Sequence, residues 1–68
     1  MRKRPRLVIR MQILLLLKKV PMGSLELSRN IGCPLEDVER ELFYLKEQGK
    51  IEEIRSEKFN VYFWRLKK

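Results

Sequence analysis

Between Cys33 and Ile51 the apolar residues Leu35, Val38, Leu42 and Leu45 recur at three- and four-residue intervals, which predicts one amphipathic helix. Its inner face is that apolar set, and its outer face carries Glu36, Asp37, Arg40, Phe43, Tyr44 and Glu47. Pro34 suits the first helical position, which makes Cys33 the N-cap and sets Glu36 at the third position, within reach of the cap's N–H. Gly49 supplies the positive-φ residue that closes the helix, and Ile51 restarts the chain as a strand.

The preceding stretch, Leu7 to Val20, predicts a helix ended by Pro21, and it is apolar nearly all round. Leu7, Met11, Leu14 and Leu15 fall on one side and Ile9, Ile13, Leu16 and Leu17 on another, with a narrow polar sector near Gln12 and Lys19. Met22 and Gly23 form a short extended link able to make a single strand pair. Ser24 then caps a second helix, Leu25 to Ile31, stopped by Gly32. Two helices joined by a tight glycine-containing turn are the helix-turn-helix arrangement. After Gly49, Ile51 to Arg55 and Val61 to Leu66 read as strands around a Ser56–Asn60 loop, a β-hairpin whose Tyr62, Trp64 and Leu66 face is the better core candidate. The expected fold is α+β, three helices followed by a two-stranded hairpin.

Composition narrows the chemistry. The 68 residues make one small domain, and a chain this short buries only about 60% of its unfolded surface. Residues 1–6 hold four basic residues around a proline and nothing apolar to bury, so they read as a flexible basic arm before a domain spanning 7–68. One cysteine excludes an intramolecular disulfide, and the absence of histidine excludes a Cys/His zinc site. No apolar run exceeds Ile13 to Leu17, so no membrane span is expected, and the chain reads as intracellular and cytoplasmic. The bias to Lys, Arg and Glu, with no Ala or Thr, leans towards a thermophilic source.

The net charge of +7 bears on function, because a basic domain attracts polyanions. Its placement is uneven: residues 1–20 carry seven cations and no acid, residues 61–68 three cations and no acid, and residues 21–60 six cations against nine acids. No catalytic constellation is present. Glu36, Glu39, Glu41, Glu52 and Glu53 sit where caps and surface salt bridges account for them, so no enzyme activity, cofactor or small-molecule ligand is expected. Cys33 reads as a cap or partly buried small residue.

The run Val38-x-x-x-Leu42-x-x-Leu45-x-x-x-Gly49-x-Ile51, followed by Val61-Tyr62-Phe63-Trp64-Arg65-Leu66, resembles the third helix and wing of winged helix-turn-helix transcription regulators of bacteria, archaea and archaeal viruses. The resemblance covers about residues 7–67. It implies duplex DNA as partner, with Arg40 and Tyr44 on the third helix at base edges and Arg55 and Lys58 on the wing. Phosphate contacts would come from Arg2, Lys3, Arg4 and Arg6 of the arm and from Lys67 and Lys68. The expected third-helix face departs from a phosphate-facing one in carrying three acids and one arginine. The same fold also serves as a protein-interaction module without DNA readout, which is the alternative function. The surplus apolar surface of the first helix predicts a homodimer paired through Leu7, Met11, Leu14 and Leu15.

Overall fold

The computed structural model describes residues 5–67. Helices α1 (Arg6–Lys19), α2 (Ser24–Ile31) and α3 (Leu35–Glu47) precede strands β1 (Ile51–Ser56) and β2 (Val61–Leu66), which pair antiparallel from Ile51↔Leu66 to Ser56↔Val61. The expected order of three helices and a hairpin is the observed one.

Helix α1 separates its two apolar stripes by geometry. Ile9, Ile13 and Leu17, spaced four apart, are buried, whereas Leu7, Met11 and Leu15, also spaced four apart, are exposed by 63, 55 and 60%. The stripes are offset by two residues, about 200° around the helix, so no single neighbour can cover both. Leu14 differs from expectation: three residues before Leu17, and hence about 60° from the buried stripe, it packs partly against the core, as does Leu16. The helix ends one residue early because Val20, preceding Pro21, is extended at φ −163° and ψ 146°.

Three expected caps take other forms. Pro34 occupies the N-cap rather than the first helical position, with ψ 144°, and its carbonyl accepts from the amides of Asp37 and Val38. A proline cap has no N–H, so Glu36 has nothing to reach back to, and no side chain caps α3. Cys33 is buried, its carbonyl accepting the Ser28 hydroxyl at 2.6 Å. Ser24 is the first residue of α2, with Gly23 as N-cap, and its hydroxyl accepts from the Trp64 indole Nε1 at 3.1 Å instead.

The hairpin is tied to the body at Trp64, 3% exposed, where the extended link forms the anticipated bridge: Met22 N–H donates to Trp64 at 3.1 Å and Trp64 N–H to Met22 at 2.8 Å. Val38, Leu42 and Leu45 of α3 close the core against Leu27 and Ile31 of α2, the buried stripe of α1, and Ile51. Gly32 and Gly49, at φ 80° and 73°, make the left-handed stops of α2 and α3 that a side chain would strain.

Candidate nucleic-acid interface

The third helix presents Glu36, Arg40, Phe43, Tyr44 and Glu47 to solvent, but two acids are withdrawn from that surface. Asp37, expected on the outer face, is buried at 7% exposure, because it lies four residues before Glu41, about 40° around the helix, at the edge of the buried arc; Arg40 lies 4.0 Å from it. Glu41, expected in a surface salt bridge, is 1% exposed. It lies three residues after Val38 and four before Leu45, which puts it on the buried arc, and that spacing was the available signal.

Two arginines of α1 make the burial tolerable. Arg10 Nε donates to Glu41 Oε1 at 2.6 Å and Arg6 Nε to Oε2 at 2.7 Å. Burial pushes the Glu41 pKa up, but the hydrogen bonds from Arg10 and Arg6, with the attraction of both charges, outweigh it and hold the carboxyl below its ordinary value. Arg10 also sits over the Tyr44 ring, 3.9 Å from its centroid, so one face of that ring is occupied by a cation within the chain. The clamp joins the start of α1 to the middle of α3 and links Glu41, Arg6, Arg10 and Tyr44.

The remaining candidates are spread out. Arg6, expected in the arm, is the first residue of α1 and is committed through Nε to Glu41, while 58% of its side chain stays exposed. Arg40 is exposed on α3. Arg55 and Lys58 are exposed at the wing tip, where Arg55 Nη2 donates to Asn60 Oδ1 at 2.6 Å. Lys67 follows β2 at the hairpin base, its N–H donating to Lys50 O at 3.0 Å, so a six-residue ladder separates it from Lys58. Arg2, Lys3, Arg4 and Lys68 lie outside the described residues. Phe43 meets Trp64 edge-on with ring centroids 6.2 Å apart, covering the hairpin base while staying 54% exposed.

Among the described residues no group of His, Cys, Asp and Glu is arranged to hold a metal ion, and no helix is long and apolar enough to cross a membrane. The hairpin base carries an open groove of about 420 Å³ lined by Glu52, Arg65, Leu66 and Lys67, with Arg65 paired to Glu52 at 2.8 Å. A second, of about 180 Å³, lies between α1 and α2 beside Gln12, Leu15, Leu16, Asn30 and Ile31.

No family model matches the chain, and no curated protein matches it. Among solved structures, two mutant forms of ZitR from Lactococcus lactis are similar in fold. One superposes with a TM-score of 0.84 at 23% identity over 88% of this chain, the other with 0.86 at 22% identity over 90%. The chain spans 42% of the length of each of them. Three helices followed by a two-stranded antiparallel hairpin, superposing at these scores, make the fold that of a winged helix.

Proposed function

We propose that the chain is a DNA-binding module of a small transcription regulator, contacting duplex DNA through α3, the wing and the basic termini. The observation that carries this reading is the winged-helix fold bearing a net charge of +7, on which Asp37 and Glu41 are turned away from the open face of α3. Turning those two carboxylates away from the open face, with Glu41 paired to Arg6 and Arg10, reduces the like-charge penalty that α3 would meet at phosphates, and Arg40, exposed there and 4.0 Å from Asp37, would pair with guanine O6 and N7. Tyr44, steadied by Arg10, offers its exposed edge beside it. Arg55 and Lys58 would follow the wing to the backbone, and Arg2, Lys3, Arg4, Arg6, Lys67 and Lys68 would add phosphate contacts from the termini. The winged-helix fold shared with ZitR of Lactococcus lactis is in line with this reading.

The module would act as a homodimer paired through α1. Leu7, Met11 and Leu15 form a straight apolar stripe on the side opposite the buried one. Each Leu buried there contributes roughly 1.5–3 kcal/mol, enough for several to offset the entropy lost on association. A second reading, an interaction module without DNA readout, is favoured by Glu36 and Glu47 on the exposed face of α3. Titrating duplex binding against salt separates the two. Several phosphate contacts require log K to fall steeply with log[salt], whereas no measurable binding at low salt would leave the interaction module.

A further inference from the structure

Beyond the Met22–Trp64 bridge the hairpin leaves the body, and every residue from 57 to 62 is exposed. The tip is nevertheless closed by two hydrogen bonds. Asn60, at φ 54°, closes it by donating its N–H to Ser56 O at 2.8 Å, and Arg55 pins the Asn60 side chain. From this tip Phe59 projects with 66% of its surface exposed, more than any other large hydrophobic residue described. Folding gains little from a ring so placed. Among the described residues the cation set over the ring is its neighbour Lys58, whose Nζ lies 5.4 Å from the ring centroid.

An apolar ring near Lys58 and Arg55 on a hydrogen-bonded tip is the chemistry of a wedge, in which cations meet the phosphates of the groove walls while the ring replaces base stacking. Glu57 is the single acid there, so residues 55–60 remain net cationic. Width favours the same geometry: the minor groove, about 6 Å across, is too narrow for a two-stranded ribbon but admits one side chain from its end. We infer that Phe59 inserts between base pairs from the minor groove and bends the duplex, at steps such as TA that unstack easily. This inference rests on the DNA-binding reading and adds the residue that deforms the DNA.

The test uses the full chain and a duplex of about 30 base pairs, short against the persistence length of DNA, with a central TA step. The adenine of that step is replaced by 2-aminopurine, and the ends carry a donor–acceptor pair. Wild type should raise the 2-aminopurine fluorescence and bring the ends together by a bend within about 20–90°. Phe59→Ala should bind roughly tenfold more weakly, keep the salt slope, and lose both signals, whereas Phe59→Leu should retain them. Equal bending and fluorescence by Phe59→Ala and wild type would overturn the wedge while leaving DNA binding standing. Failure of wild type to bind at low salt would overturn the DNA-binding reading and the wedge with it.

Discussion

Replacing Glu41 with Gln keeps the volume of the side chain and removes its charge, which isolates what the Arg6–Glu41–Arg10 clamp contributes. A hydrogen bond to a charged group is worth about 1.5–3 kcal/mol, and the Arg10 bond, whose donor is 23% exposed, belongs in that range. The Arg6 bond is discounted to about 0–1 kcal/mol, because that side chain is 58% exposed and solvent screens it. Gln can accept one bond, but its amide then presents donors to a guanidinium, so the expected loss is about 2–3 kcal/mol. With a urea slope near 1 kcal/mol/M for a domain this small, the unfolding midpoint should fall by about 2–3 M. The pH response has a definite sign. The folded carboxyl titrates below its unfolded value of about 4.3, so its stabilisation is present above that pH and is lost as pH falls through the lower folded value. Glu41→Gln should therefore lack part of the acid-induced loss seen in wild type. A midpoint shift under about 0.5 M, with an unchanged acid profile, would refute the clamp as a stabilising contact.

Two further perturbations address the assembly and the arm. Leu15→Glu should leave the fold intact and yield a monomer, and Leu16→Glu, half-buried against the core, should destabilise the fold. Sedimentation at about 10 µM, suited to a micromolar dimer, checks this, and a monomeric wild type there rejects the pairing. Deleting residues 1–4 removes three cations while keeping Pro5, whose carbonyl accepts from Ile9, and the Arg6 bond to Glu41. DNA binding should weaken and the salt slope drop by about 0.9 per lost phosphate contact, and an unchanged slope would move the contacts elsewhere.

Much of the fold was legible because local and tertiary preferences agree. The two glycine stops, the hairpin and an extended link at Met22 able to pair follow from backbone freedom and alternation that nothing in the core opposes, whereas Trp64 as the link's partner came from the tertiary fold. The caps were not legible, because a tertiary partner decided them: the Trp64 indole takes the Ser24 hydroxyl that a local reading assigns to the helix end. Pro34 satisfies either of two adjacent positions, and only the observed ψ distinguishes them. The candidate site was harder still. Spacing places Glu41 among Val38, Leu42 and Leu45, but a carboxylate is usually assigned to solvent, and the arginines that permit its burial lie 31 and 35 residues away. The same long-range contact moved Arg6 from the arm into the body and put Arg10 over Tyr44, none of which periodicity within one element can reveal.

In the proposed complex, duplex DNA lies against α3 and the wing. The most direct measurement is the change in backbone amide resonances of isotope-labelled protein as a random-sequence duplex is added at low salt. Perturbations should concentrate at Arg40, Phe43 and Tyr44 on α3 and at Arg55, Lys58 and Phe59 on the wing, with Leu7, Met11 and Leu15 unaffected. Perturbations confined to the α1 stripe, or none at all, would contradict this placement.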